Sequence, residues 1–208
     1  MKNLLLFCFA FIYTLPAIAQ KDFIGIAKYK ITTLGSENKQ IDSIMVVFGA
    51  QKIKLTFFLP ASNDMKLVSR KSVIIHFGNK EQFEVDEDQF TYTQIPFTPS
   101  LTNHRFKNTG QYDAVVNKLC LQYTADSIAP AKANVKKAVC NASIDWGFHA
   151  TEQFNYLGAF PLVLDNRLVM SADEFLQDGK VAKIFITEIE ERKSTEESFN
   201  LMEYKKNK

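Results

Sequence analysis

The chain is poor in the residues from which common catalytic sites are built. It has three histidines among 208 residues, His76, His104 and His149. No two of them stand at a metal-ligand spacing such as H-E-x-x-H. There is no G-x-S-x-G elbow and no G-x-x-x-x-G-K-[ST] phosphate loop. No catalytic residue, metal ligand or cofactor is expected, and an enzyme is the least favoured class. Charge of one sign is also missing. Lysine and arginine number 25 against 23 acidic residues, for a net charge of +2, and the charges are spread along the chain. A balanced surface gives no electrostatic case for nucleic acid or for an anionic membrane. Beyond the N-terminus no segment approaches eighteen consecutive apolar residues, so no membrane-spanning helix is expected.

The N-terminus is different. Met1-Lys2-Asn3 is a short basic start, and Leu4 to Leu15 is apolar except for Thr14. Pro16 and then Ala17-Ile18-Ala19 supply a small-x-small cleavage site. Residues 1–19 read as a secretory signal peptide, too short to span a bilayer. The expected product runs from Gln20 to Lys208 as a single domain that is exported, periplasmic or extracellular. Cys8 lies inside the apolar run and Gln20 holds the first mature position, so the product is expected to be soluble rather than lipid-anchored. Cys120 and Cys140 are the cysteines left after processing. An even pair in an oxidising compartment points to one disulfide, worth about 3 kcal/mol in the chain-entropy model. The alternative is two buried free thiols.

Alternation dominates the rest. Phe23, Gly25, Ala27, Tyr29 and Ile31 share one face of a strand. Ile41 to Phe48 is a second strand, Gly49-Ala50-Gln51 a turn, and Lys52 to Phe57 alternates strictly, which predicts a β-hairpin. Val73, Ile75 and Phe77 alternate with Ser72, Ile74 and His76. Phe83 and Val85, then Phe90 and Tyr92, repeat the pattern after turns at Gly78-Asn79-Lys80 and Asp86-Glu87-Asp88. Tyr112 to Thr124 reads as one extended segment, and Ala142–His149, Pro161–Met170 and Val181–Glu190 as later strands. Asp178-Gly179 is a turn. Ala131 to Val139, rich in Ala and Lys after Pro130, is the best helical candidate. Ser194-Thr195-Glu196-Glu197 has the form of a capping box, which opens either a short C-terminal helix or an extended tail.

Several of these segments resemble a known family in their order. They are Phe23-x-Gly25-x-Ala27-x-Tyr29, Asp42 to Gly49 with Lys52-Ile53-Lys54, Cys120, Trp146, Tyr156 to Leu164, and Phe199-x-Leu201-x-x-Tyr204. This series is similar to the small exported proteins of the GLPGLI family, with Gly158, Pro161 and Leu164 at the small, proline and aliphatic positions of the naming motif. Those proteins belong to the wider group with the lipoprotein-carrier (LolA-like) half-barrel. The resemblance implies a mainly β (α+β) fold, a curved antiparallel sheet or half-barrel partly covered by a short helix and loops. It also implies a concave face that binds lipid or acyl chains in several relatives.

Ile53, Leu55, Phe57, Val73, Ile75 and Phe77 fall on single faces of adjacent predicted strands. They are either core or the wall of an apolar-ligand cavity. The chain has 18 phenylalanines and few amphipathic helices to cover a sheet, so apolar surface is left for a ligand, a partner or the sheet itself. The acidic run Glu84 to Asp88 lacks the pattern of a calcium loop and reads as a charged turn. Asp126-Ser127-Ile128 resembles an envelope O-glycosylation tripeptide, which makes Ser127 a candidate acceptor. Asn141-Ala142-Ser143 matches an N-glycosylation sequon. The leading expectation is a non-enzymatic envelope protein that binds a lipid or other hydrophobic small molecule on a concave sheet. Its rival is an interaction module that docks on an envelope protein partner.

Overall fold

A computed structural model describes residues 20–34, 43–59, 69–97, 106–126, 135–148, 155–157 and 160–207. The proposed leader, residues 1–19, lies outside them. The strands are β1 (Lys21–Asp22), β2 (Gly25–Leu34), β3 (Ser43–Gly49), β4 (Lys52–Leu59), β5 (Ser69–His76), β6 (Glu81–Asp86), β7 (Thr91–Ile95) and β8 (Lys107–Val115). They continue as β9 (Lys118–Asp126), β10 (Val135–Gly147), β11 (Asn155–Leu157), β12 (Phe160–Pro161), β13 (Val163–Leu164), β14 (Arg167–Leu176), β15 (Val181–Glu191) and β16 (Lys205–Lys206). A 3-10 turn spans Glu196–Phe199. Fourteen of the strands form one large curved open sheet, consistent with a half-barrel, in the order β16-β7-β6-β5-β4-β3-β2-β15-β14-β10-β9-β8, with β1 beside β10 and β13 beside β14. No helix among the described residues is long and apolar enough to cross a membrane.

Two antiparallel meanders make up this order. β2 to β7 run consecutively on one limb, and β8, β9, β10, β14 and β15 form the other. They meet where β2 pairs with β15, from Gly25 opposite Glu191 to Leu34 opposite Val181. The seam is close at Gly25, where a Cβ would stand 2.1 Å from the Glu190 carbonyl oxygen. Only glycine permits that approach. Between the meanders, β7 and β8 lie towards opposite ends of the sheet although adjacent in sequence. The flanks of their connection, Phe97 and Phe106, both pack on the core.

The main core lies on one face of the curved sheet, called concave below, and a smaller cluster on the other. Ala27 and Tyr29 of β2, Ile44, Val46 and Phe48 of β3, Ile53 and Leu55 of β4, Cys140 and Ala142 of β10, and Ile184 and Ile186 of β15 are all buried there. The Tyr29 hydroxyl donates to the Val169 carbonyl at 2.9 Å, linking the limbs through a buried hydrogen bond. Aromatic rings close one end of this face. Trp146, Phe23, Phe48, Phe148 and Phe77 form a chain of neighbours with centroids 5.2 to 5.9 Å apart. Edge-to-face and tilted contacts of this kind fill space without leaving a slot.

Four expectations are corrected here. Val135–Val139 is the start of β10, not part of a helix. It is paired on both sides, to β9 and β14, and Val135 and Ala138 are buried. Residues 131–134 lie outside the described set. The predicted segment 112–124 is two strands joined at Val116-Asn117, with φ of 49° and 58°. Pro161–Met170 is broken in the same way at Asp165-Asn166, with φ of 49° and 57°. Both have the positive dihedrals of a type I′ hairpin turn. The expected Cys120–Cys140 disulfide is not formed, and both residues are buried free thiols. β9 and β10 pair Cys120 with Ser143 and Cys140 with Tyr123. That is an offset of three residues, roughly 10 Å along the strands, and alternation turns the two side chains to opposite faces.

Candidate functional site

Cross-strand register shows where the concave face stops being core. Three rows run from β3 to β7: Phe48–Ile53–Ile75–Gln82–Ile95, Val46–Leu55–Val73–Glu84–Thr93 and Ile44–Phe57–Lys71–Asp86–Thr91. Each begins apolar. The second and third become polar at β5 or β6 and stay so. The reason is the registry of the β5–β6 hairpin, which sets Gln82, Glu84 and Asp86 on the concave side and sends Phe83 and Val85 to the convex side.

A groove of ≈490 Å³ lies along that boundary. Phe57 and Val73 give it an apolar wall, and Lys71, Glu84, Asp86, Thr91 and Thr93 give it a polar one. Ser72, Val85, Gln89 and Asn207 also line it. Its volume is in the range of sites that enclose a small molecule. Glu84 is exposed, and neither it nor Lys71 enters an ion pair among the described residues. Asp86 is partly committed, since its Oδ1 accepts from the backbone N–H of Asp88 at 3.1 Å and of Gln89 at 2.9 Å. Among the described residues, the groove therefore offers an apolar contact beside a cation, Lys71, and a carboxylate, Glu84, that make no ion pair.

The six residues expected to form one apolar face divide between core and groove. Ile53, Leu55 and Ile75 are fully buried, and Phe77 is 2% exposed within the aromatic chain. These four are filled core. Phe57 and Val73 alone reach the groove. Sequence reading missed Lys71, Glu84 and Asp86 as their neighbours. The signal was available in the four-residue turn Phe77–Lys80, which fixes His76 opposite Glu81 and so reverses the apolar side of β6.

The convex face explains that reversal. Val47, Ile74, Phe83 and Val85 form a second apolar cluster, covered by Phe199, Leu201 and Tyr204 from the C-terminal tail. β16 then pairs in parallel with the edge strand β7. Beneath the tail, Glu87 accepts from Ser72 Oγ and the Tyr204 hydroxyl, both at 2.6 Å, and meets Lys54 Nζ at 2.8 Å. Burial pushes the Glu87 carboxyl up, and the contacts with Lys54, Ser72 and Tyr204 more than reverse that, holding it below the usual carboxylate range. Asp88 accepts from the Arg70 backbone N–H at 3.0 Å. The acidic turn is thus tied into the fold.

Of the other candidates, His76 faces Phe83 and Phe199 on the convex side, with its Nε2 buried and without a hydrogen-bond partner. Burial first, and the Lys52 charge second, lower its pKa. Burial pushes the Cys120 thiol up to about 11 and raises that of Cys140 as well, so neither is a thiolate nucleophile at neutral pH. Asn141 is paired within β10, its Nδ2 donating to Ser171 Oγ at 3.1 Å. Ser127, His104 and His149 lie outside the described residues.

No family model matches the chain. No curated protein matches it either. Neither comparison shows the GLPGLI family. Among solved structures, PNGF-II in two crystal forms is similar, with a TM-score of 0.50 in each, at 14% and 16% identity over 87% and 88% of this chain. The chain spans 30% of the PNGF-II chain's length, and at this identity the likeness is one of fold. A LolA superfamily protein from Nitrosomonas europaea also aligns, over 88% of this chain and 91% of its own, at 9% identity and a TM-score of 0.38.

Proposed function

We propose that this is an exported, non-enzymatic envelope protein that holds an amphipathic molecule, a lipid or other acyl-chain compound, in the concave groove between β4 and β7. The observation that carries the reading is the junction of an apolar wall, Phe57 and Val73, with Lys71 and Glu84, which make no ion pair, inside one ≈490 Å³ groove. An alkyl chain laid on that wall gains about 0.8 kcal/mol per buried methylene. A charged or zwitterionic head meets Lys71 and Glu84. No bond is made or broken in this scheme.

The test is native mass spectrometry of protein purified without detergent, followed by titration with a fluorescent twelve-carbon fatty acid. Retained mass that organic solvent removes supports the reading, as does at least a tenfold loss of probe affinity in Val73→Phe, which narrows the groove. Protein that emerges empty and ignores the probe opposes it, as does a Val73→Phe variant that binds as well as the parent.

A specific observation also favours a second reading, docking on an envelope protein. At the free end of the sheet, the β8–β9 hairpin exposes Tyr112 (63%), Leu119 (47%) and Val116 (43%). Val116 is moreover a β-branched residue at positive φ, a costly conformation that often marks a functional turn. A partner captured through this hairpin, and lost on Tyr112→Ser, would support that reading.

A further inference from the structure

The C-terminal segment touches both faces of the sheet. It begins on the convex side, where Phe199, Leu201 and Tyr204 pack on Val47, Ile74, Phe83 and Val85. It then reaches the edge strand β7, where Lys205 and Asn207 donate their backbone N–H groups to the Phe90 and Tyr92 carbonyls, both at 2.8 Å. Asn207 finally lines the concave groove beside Thr91 and Thr93. Residues 195–207 are thus a strap that passes round the sheet edge and joins the convex cluster to the groove.

The first turn of the strap rests on a histidine. The His76 ring neighbours Phe83 and Phe199, with centroids 5.7 and 6.3 Å away. Its Nε2 is buried without a hydrogen-bond partner, and its Nδ1 stands 3.7 Å from Glu81 Oε2. Three charged groups act on it. Lys52 of β4 and Glu81 of β6 are its cross-strand partners, and Glu196 of the 3-10 turn pairs with Lys52 at 2.5 Å. A protonated imidazole donates from both nitrogens. Here that places an N–H at Nε2, which meets no acceptor, and a positive charge beside Lys52 among aromatic rings. Glu81 and Glu196 favour the charged ring, but burial first and Lys52 second outweigh them and lower its pKa. Lifting Phe199 admits water to Nε2 and removes the penalty.

We propose that the strap is a pH-sensitive latch on the concave groove: protonation of His76 lifts Phe199, loosens residues 205–207 from β7 and takes Asn207 out of the groove wall, so that a bound molecule is released in mild acid. The coupling step rests on the groove holding an amphipathic molecule, and the latch itself does not. Each unit by which closure lowers the His76 pKa shifts the latch about tenfold towards open once the ring is charged. By reciprocity, a molecule that leans on Asn207 holds the strap shut and lowers the pH at which it opens.

Hydrogen exchange followed by NMR reads the latch on the ligand-free full chain, at the Lys205 and Asn207 amides. Between pH 7.5 and pH 5.0, after correction for intrinsic rates, their protection should fall about tenfold or more, while that of Val46 and Leu55 in the core does not fall with it. His76→Phe should abolish the change. Affinity for a fluorescent twelve-carbon phosphocholine, whose head keeps its charge over this range, should drop about fivefold or more in the parent and stay constant in His76→Phe. Protection that ignores pH, or that falls equally in His76→Phe, overturns the latch. A probe that binds equally at both pH values overturns the coupling alone. A probe that binds at neither counts against the groove itself and takes the coupling with it, while the exchange result still decides the latch. If His76→Phe does not fold, Tyr204→Phe decides. It cuts the strap's hydrogen bond to Glu87 and leaves His76 in place. Opening must then move to higher pH, towards the ordinary histidine value of 6.5, and an unmoved midpoint overturns the latch.

Discussion

A side chain added at Gly49 would run into the Phe199 ring, and the size of that clash measures how firmly the C-terminal tail seals the convex face. Phe199 is 6% exposed and packs in the cluster of Val47, Ile74 and Phe83. Lys52 Nζ lies 5.7 Å from its ring centroid. Truncation to alanine should cost about 3–5 kcal/mol, the usual range for a buried phenylalanine. That corresponds to a fall in Tm of about 10 °C for a chain of this length. Gly49 has no need of positive φ, yet a Cβ placed there would stand 2.7 Å from Phe199 Cε2 and 3.2 Å from Thr195 Oγ1. Gly49→Ala should therefore cost about 1–3 kcal/mol by overpacking. In a Phe199→Ala background the ring is gone and the same change should cost almost nothing. Urea unfolding of the parent, both single variants and the double variant closes the cycle, with an expected coupling of about 1–3 kcal/mol. Additive losses would mean that Phe199 does not sit on Gly49. A Phe199→Ala cost under about 1 kcal/mol would mean that the tail does not cover this face.

Two further predictions concern pH. Glu174 is raised from 4.5 to about 7 on folding. Its stabilising contribution is thus complete at pH 4.5 and below and is lost as pH rises through 7, a change of about 3 kcal/mol. Glu174→Gln should remove that alkaline decline in denaturant-derived stability, and parallel pH profiles for parent and variant would refute it. His76 is shifted the other way, so its contribution is present above its unfolded pKa and lost as pH falls through the lower folded one. His76→Phe should flatten the acid limb of the same profile, and an NMR titration showing the His76 ring protonating above pH 6.5 would contradict it.

Strict alternation made the β3–β4 hairpin and the β5–β6–β7 meander readable, because each strand buries one side. The curved antiparallel sheet followed from the resemblance and from the shortage of helical pattern. Segment 135–139 was misread because Ala and Lys favour helix locally, whereas Val135 and Ala138 are held in a strand by their cross-strand partners. Two turns were hidden in extended patterns, although Asn117 and Asn166 carry the signal, being residues that tolerate positive φ. The capping box failed because its residues are spent elsewhere. Thr195 donates its hydroxyl to the Phe48 carbonyl at 2.8 Å, and Ser194 accepts from Glu196 rather than Glu197. The groove was half legible. Phe57 and Val73 stood out as apolar strand positions, but Lys71, Glu84 and Asp86 join them only through pairing that no single strand displays.

The pairing of residues 25–34 with 181–191 also sets a schedule for the chain. The strand at residues 25–34 leaves the ribosome with one flank open, and the sequence that closes it, residues 181–191, follows far later in the chain. Each limb can zip locally, but joining them waits on a loop closure of about 150 residues, whose entropy is spent before the contacts repay it. A nascent copy therefore stays unjoined at this seam until residues 181–191 have emerged, and a truncation that removes them leaves two half-sheets without the pairing that joins them.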